Sequence, residues 1–448
     1  MTAAGGPGVH GIRTALLAGA AVALLAGCST RERSNPLDPL NPDTGGRLQD
    51  VTATAAHSRV SLSWSVFAFS PTPQLLLERA ETNDPVFATL ASVPLTRAGF
   101  VDTTARDGVQ YVYRLRAVTA SGPGLPTEVT ATPGPEVVWL ADAGRDRLAV
   151  LAPDCGAVRA SLEVFNFPSD VAWDAVTGEL WLANTFDGVV AELDSAGNVR
   201  ATHTALDYPR ALAVDPRRGG CWVADDHAGT VALLAPGGQL LARATGFAGP
   251  VGLAVDPSDG GAWVAEADAG RITRVRRDGT RVVSRRGFAQ PEGLAFDPGG
   301  PHDPPSLWVA DFGADQLVRL DADGVERYRL VGFPGVLDVI VDPADGSVWV
   351  ACSKSGAGSV SRLSREGRVL WTVEGPVNPV ALAVNPADQS VWVADAADNA
   401  AWKIAASGSP ARRLGDLGYP LGIAVVPGPV ALPFAPGAVA RAAPRVKN

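Results

Sequence analysis

Two carboxylates, Asp170 and Asp338, stand at the same place in two copies of a unit that recurs along this chain, two residues after the position where most units carry proline. The other copies place Ala211, Gly252, Gly293, Ala381 and Gly422 there, so the acids break a run of small residues. One position earlier the units carry Ser169, Arg210, Val251, Glu292, Leu337, Val380 and Leu421. Functional side chains are expected where a repeat departs from itself. A charged arc of Asp170, Arg210, Glu292 and Asp338 facing an apolar arc of Val251, Val380 and Leu421 could hold a ligand at the mouth of a channel. The same acids could contribute to a divalent cation site, which needs three or more convergent oxygen or imidazole ligands; two equivalent acids plus Glu292 offer the minimum.

Other chemistry is sparse. The chain contains no GxSxG elbow, HExxH pair, phosphate-binding P-loop or CxxC pair, so no catalytic residue, metal ligand set or cofactor is assigned from motifs. His203, His227 and His302 fall at non-equivalent places and are expected to be solvated loop residues. Asp321-Ala322-Asp323-Gly324 opens like a calcium loop, but Gly332 stands where that loop needs a Glu, which leaves a hairpin turn. Cys155, Cys221 and Cys352 are expected to be buried as small hydrophobes. A formal charge of −9 argues against nucleic acid as a partner.

The elements that must position these residues are set by a longer pattern. A Trp, an aliphatic residue, an Ala and a polar residue recur from Trp139, Trp181, Trp222, Trp263, Trp308, Trp349 and Trp392, a period of 41 to 45 residues that marks stacked supersecondary units. Each unit has a proline-led strand, an Asp-Pro turn such as Asp215-Pro216, the Trp strand, and a third strand running into a Gly-ended hairpin. Four short antiparallel strands repeated seven times predict a β-propeller over residues 134–430. The wording Pro-x-Gly-Leu-Ala-x-Asp-Pro followed by Trp-Val-Ala-Asp resembles NHL repeats, with Val336, Cys352, Asn184 and Glu266 as departures. The first unit lacks its proline-led strand, and the last segment, residues 420–426, is such a strand with no Trp strand after it. The two should form one complete blade and close the ring. The acids after Trp-x-Ala (Asp142, Asp225, Asp311, Asp395) occur throughout the repeat and are expected to cap the following turn.

Residues 47–133 alternate as half-buried strands do, with Val60, Leu62 and Trp64 on one face and Tyr111, Tyr113, Leu115 and Ala117 on another. The length, the early Trp, the Tyr-x-Tyr strand and the Gly-Pro turn resemble a fibronectin type III domain, which implies a spacer sandwich. The fold class expected is therefore all-β, a fibronectin type III-like sandwich followed by a seven-bladed β-propeller closed by its C-terminal strand, with residues 431–448 as a tail.

The first residues read as an address. An uncharged Ala- and Leu-rich run from Thr14 to Gly27 has signal-peptide proportions and ends in Leu25-Ala26-Gly27-Cys28, which resembles a bacterial lipobox. That resemblance implies lipidation at Cys28, a mature chain held on a membrane by its acyl chains, and, with Ser29 next, the outer membrane if the host has one. Residues 28–46 carry three prolines and no apolar periodicity, a semi-extended tether. Together these predict a lipid-anchored extracytoplasmic binding or scaffold protein whose propeller mouth or blade tops contact a protein, peptide or glycan. The alternative is a metal-dependent propeller enzyme, because streptogramin lyases and gluconolactonase-like lactonases resemble the chain in repeat wording.

Overall fold

The computed structural model describes Leu37, Asn41 and residues 44–48, 50–56, 59–65, 73–97, 99–106, 108–134, 136–300, 303–354, 356–426 and 439–441. Cys28, the signal-like run and most of the tether lie outside them. The chain forms two compact units, one comprising Leu62–Asp102 and Gln110–Ala131 with the chain up to Ala53, the other Thr54–Ser61, Thr103–Val109 and the chain from Thr132 onward.

Ahead of Thr132 the strands Thr52–Ala56, Arg59–Ser63 and Gly99–Asp102 form one sheet. A second sheet orders Asp84–Pro94, Gln74–Glu81, Tyr111–Thr119 and Gly122–Pro123, with Thr127–Ala131 also pairing Tyr111–Thr119. The expected stripes are buried: Val60, Leu62 and Trp64 from one sheet, Tyr111, Tyr113, Leu115 and Ala117 from the other. The Tyr113 hydroxyl donates to Asp102 at 2.8 Å, and Arg79 reaches the same carboxylate at 2.6 Å, so the polar groups on this face are paired.

The second unit is built from repeated four-stranded antiparallel sheets. A representative one runs Pro209–Val214, Cys221–Asp225, Thr230–Leu234, Leu240–Thr245, in sequence order from one edge to the other. Its first turn forms because Asp215 Oδ1 accepts the Arg217 and Arg218 amides while Pro216 presets the backbone. Among the described residues six sheets follow this plan. A seventh takes its first strand, Pro420–Val426, from the far end of the chain and pairs it with Val137–Asp142, Ala424 opposite Trp139. The first strands touch in succession, and Pro420–Val426 contacts both Pro168–Asp174 and Pro379–Val384, so the succession closes on itself in a propeller-like cycle. The tail contributes one further piece: Val439–Arg441 lies parallel to Ser161–Glu163 on the outer edge of the closing sheet.

Tryptophan is the mortar between sheets. All seven repeat Trp side chains are buried, most of them opposite an Ala on the first strand of their own sheet, as Trp222 faces Ala213 and Trp263 faces Ala254. Each packs against the next sheet: Trp139 on Val171, Leu180 and Leu182, Trp263 on Leu294, Leu307 and Val309, and Trp392 on Ile423, Val425, Val138 and Leu140 of the closing sheet. Burial of one indole contributes on the order of 2–3 kcal/mol at about 25 cal/mol/Å². In four sheets a cation lies over the ring: Arg274, Arg319, Arg362 and Lys403 at 5.4, 5.2, 5.3 and 5.3 Å from the centroids.

Candidate functional site

Every first strand begins with a break in register at the residue after the proline position, so that residue bulges out of the ladder. In five sheets the bulge is confined to Ser169, Arg210, Val251, Leu337 and Val380, and in the closing sheet to Leu421; in the sheet of Glu292 it extends over Glu292 and Gly293. These are the rim positions singled out from the sequence.

The structure joins two of the four charged candidates directly. Arg210 is exposed and reaches Asp226 at 3.2 Å and Glu292 at 3.8 Å, and Glu292 also accepts from Gln290 Nε2 at 2.7 Å. Asp170 and Asp338 form a second set. Asp170 accepts the Val171 amide and, across to the next sheet, the Leu212 amide, both at 2.8 Å. Asp338 does the same with the amides of Val339 and Leu382, both at 2.8 Å. Each acid thus braces the open inner edge of its neighbour. Glycine on the preceding sheet makes the room: a Cβ on Gly422 would sit 2.6 Å from Asp170 Cα, and one on Gly293 would sit 2.8 Å from Asp338 Cα.

Burial pushes both carboxyls up to about 7, against the opposing pull of their amide donors, and the charge of Asp338 raises Asp170 further. The sign follows directly. A carboxyl that ionises near 4 when unfolded and near 7 when folded stabilises the native state fully below the lower value, and that contribution is lost as pH rises through the upper one. Stability of the wild-type protein should therefore decline between pH 5 and pH 8. Glu192, buried against Glu179 and pushed up to about 8 chiefly by burial, adds a fall of the same sign. An Asp170→Asn/Asp338→Asn variant should show a shallower decline in urea unfolding free energy over that range. An equal decline in the two proteins would remove the carboxyls as its source.

The repeat-wide acids do something other than cap the turn that follows them. Buried Asp225 accepts the amides of Asp207 and Tyr208 at 2.9 and 2.8 Å, Asp311 those of Ala289 and Gln290 at 2.9 Å each, and Asp395 those of Val377 and Asn378 at 2.8 Å each. Asp142 holds Gly418 at 2.6 Å across the closure. They clamp the loop leading into the first strand of their own sheet, whereas bonds to the following turn are long, 3.5 Å for Ala228 and 3.3 Å for Asp398. Within one sheet the clamped loop approaches from 17 or 18 residues upstream, or 21 and 22 for Asp311, a partner that local spacing does not suggest. Asn184 and Glu266 perform the same task, accepting Asn166 and Ala248 amides at 2.7 and 3.0 Å. Where Cys352 replaces the acid, Asp315 of the preceding sheet accepts the Gly335 amide at 2.7 Å instead.

His203 lies on the outer strand Val199–His203, not in a loop, and burial with the nearby Arg243 charge lowers its pKa. His302 lies outside the described residues. The Asp321–Gly324 segment is a hairpin turn, with the Asp323 and Val325 amides donating to Asp321 Oδ1 at 3.0 and 2.8 Å. Cys155, Cys221 and Cys352 are buried free thiols, and burial raises each of them. Among the described residues no group of three or more His, Cys, Asp or Glu side chains could hold a metal ion. A groove of about 930 Å³ is lined by the outer strands Glu326–Val331 and Val369–Glu374 together with Phe333, Pro334 and Cys352 near the start of the intervening first strand.

One feature of the same loops escapes a search confined to charged residues. Phe167 stacks on Phe186 at 4.3 Å and 10°, Phe186 meets Tyr208 at 6.0 Å, and Tyr208 stacks on His227 at 4.1 Å and 23°. The four rings come alternately from the loop before the first strand and the turn after the Trp strand, in two successive sheets. The signal was present in the sequence, since Phe167 and Tyr208 directly precede Pro168 and Pro209, as Tyr419 precedes Pro420, where the remaining units carry Gly249, Gln290, Gly335 and Asn378.

No protein-family model matches the chain, and no curated protein matches it significantly in sequence. Solved structures do resemble it in fold. A functionally unknown protein from Desulfotomaculum acetoxidans is 12% identical with a TM-score of 0.57, covering 64% of this chain and 98% of that one. A protein from Lactobacillus plantarum is 16% identical with a TM-score of 0.54, covering 65% and 99%. An inactive virginiamycin B lyase from Staphylococcus aureus, solved with quinupristin, is 14% identical with a TM-score of 0.48, covering 55% and 84%. At such identities the likeness is one of fold, and the fold is propeller-like.

Proposed function

We propose that this chain is a lipid-anchored, extracytoplasmic binding or scaffold protein. In this reading Cys28 carries the anchor, residues 28–46 are a tether, residues 47–133 are a fibronectin type III-like spacer, and residues 134–430 are a seven-bladed, NHL-like propeller presenting its mouth to a protein, peptide or glycan. The observation that carries it is the concentration of repeat-breaking side chains at the bulged starts of the first strands, with the acids there engaged in bracing backbone amides or pairing with Arg210. Side chains committed in this way shape a surface. They leave no nucleophile and base within hydrogen-bond reach of each other, as acyl or proton transfer would need. Among the described residues no helix is long and apolar enough to cross a membrane, so membrane residence in this proposal rests on the lipid alone.

The full chain expressed in a bacterial host should sediment with membranes and take up labelled fatty acid, and Cys28→Ser should abolish both. Retention of label by Cys28→Ser would refute the anchor. The competing enzyme reading has one feature in its favour, two buried carboxyls, Asp170 and Asp338, both raised to about 7 by burial. Calcium and magnesium titrations by calorimetry separate the two. The binding reading expects no micromolar affinity, and micromolar binding abolished by Asp170→Asn or Asp338→Asn would establish the metal-dependent alternative.

A further inference from the structure

Among the described residues no other unit joins rings into a strip like Phe167–Phe186–Tyr208–His227, although Tyr419 also precedes a first strand. The position of Phe186, second in the turn after the Trp strand, is filled by Gly144, His227, Asp268, Gly313, Lys354 and Ala397 in the other units. Phe186 is 57% exposed, and His227 is exposed beside it, so the strip is not core. Its backbone is also set at a cost. Phe167 adopts φ +55°, a region bulky side chains avoid; Tyr419 holds the same place at +83°, and glycine does so as Gly249 at +60° and Gly335 at +62°. A run of stacked rings reaching the surface, one of them at a backbone conformation costly for a bulky residue, points to a selected surface contact.

The chemistry around the strip is anionic. Asp146, Asp187 and Asp207 are exposed on the same loops, and Asp146 Oδ1 accepts the Phe167 amide at 2.8 Å. Asp226 and Glu292 lie at its rim-side end. The guanidiniums of these loops are already engaged, Arg210 with Asp226 and Glu292, Arg145 with Asp416 at 2.7 Å. Two stacked pairs that cover each other's faces leave little open ring plane for a sugar to lie on. Ring edges, one outer face and neighbouring carboxylates suit the aliphatic stems and charged heads of Arg and Lys side chains.

We propose that this strip docks an extended, arginine- or lysine-rich peptide segment of a partner protein. The inference deepens the binding reading above and rests on it. The test uses the full chain with hexa-arginine, hexa-glutamate and chitohexaose as probes, followed by calorimetry at two salt concentrations. Hexa-arginine should bind, weaken with salt, and lose at least tenfold in affinity in Phe186→Ala and Phe167→Gly, neither of which changes the charge. Phe167→Gly should at the same time keep or raise the unfolding midpoint, since glycine relieves the backbone. Equal affinity in wild type and both variants would reduce the effect to attraction by an acidic surface and overturn the proposal. So would binding of chitohexaose with no response to hexa-arginine, an outcome that moves the ligand class to glycans and keeps the binding reading. If none of the probes binds, the strip is not a docking site, and the anchoring and metal experiments still decide the wider function independently.

Discussion

A chain ended after Gly418 is expected to lose the cooperative unfolding of its second unit. The strand removed, Pro420–Val426, buries Ile423, Ala424, Val425 and Val426 and supplies the whole inner edge of the sheet that begins at Val137. Without it Trp392 loses Ile423 and Val425, and Trp139 loses Ala424 and Val426, so both faces of one sheet are opened at once. Re-exposing four buried aliphatic side chains costs on the order of 5–8 kcal/mol at about 25 cal/mol/Å², comparable with the whole stability of an ordinary domain. An open array also presents two unpaired sheet edges and invites aggregation. A second truncation, after Val426, removes the outer strand Val439–Arg441 and leaves the closure intact. It should cost no more than about 1–2 kcal/mol, the scale of losing one short edge strand. Guanidinium unfolding followed by near-ultraviolet circular dichroism distinguishes them: a broad, shallow transition for the first chain and a sharp one for the second. A sharp transition for both would mean that Pro420–Val426 does not close the cycle.

The legibility of this fold in its sequence was uneven, for physical reasons. The Trp period was readable because each repeat solves the same packing problem, filling the widening gap to the next sheet, and a recurring problem leaves a recurring residue. Small residues such as Ala213, Ala254 and Ala295 opposite those tryptophans were readable for the same reason. The acid after Trp-x-Ala was visible as a residue type but not as a contact, because its amide donors lie 17 to 22 residues upstream in Asp225, Asp311 and Asp395 and meet it only once the sheet has formed. The bracing role of Asp170 was more remote still. Its second bond goes to Leu212 in the adjacent sheet, and only the bulge at Ser169 aims the carboxylate that way. The aromatic strip was half legible. Phe167 and Tyr208 stand out against the repeat, but the alternation with Phe186 and His227 depends on how successive sheets splay, which no single unit encodes.

Trp263→Ala is expected to cost roughly 3–5 kcal/mol, the range for truncating a large buried ring that leaves a cavity. The site cannot easily collapse. Trp263 is packed from the next sheet by Leu294, Leu307 and Val309, and these belong to strands pinned by their own ladders. A turn is also fitted to the ring: a Cβ on Gly324 would lie 2.8 Å from Trp263 Cη2, so this glycine leaves space that only the indole fills. Removal of the ring further strips the apolar face from Arg274, which stays tied to Asp256 at 3.1 Å and Asp259 at 2.7 Å and cannot swing out to water without breaking both. The loss should therefore exceed that of Trp139→Ala, where Val150 stands opposite the ring on the neighbouring strand and no cation is stranded. Trp263→Phe should recover part of the deficit by refilling most of the volume. Urea unfolding of the three variants checks the order. A cost below about 1 kcal/mol for Trp263→Ala would show that the gap between sheets closes freely, and the indole would then not be what spaces the cycle.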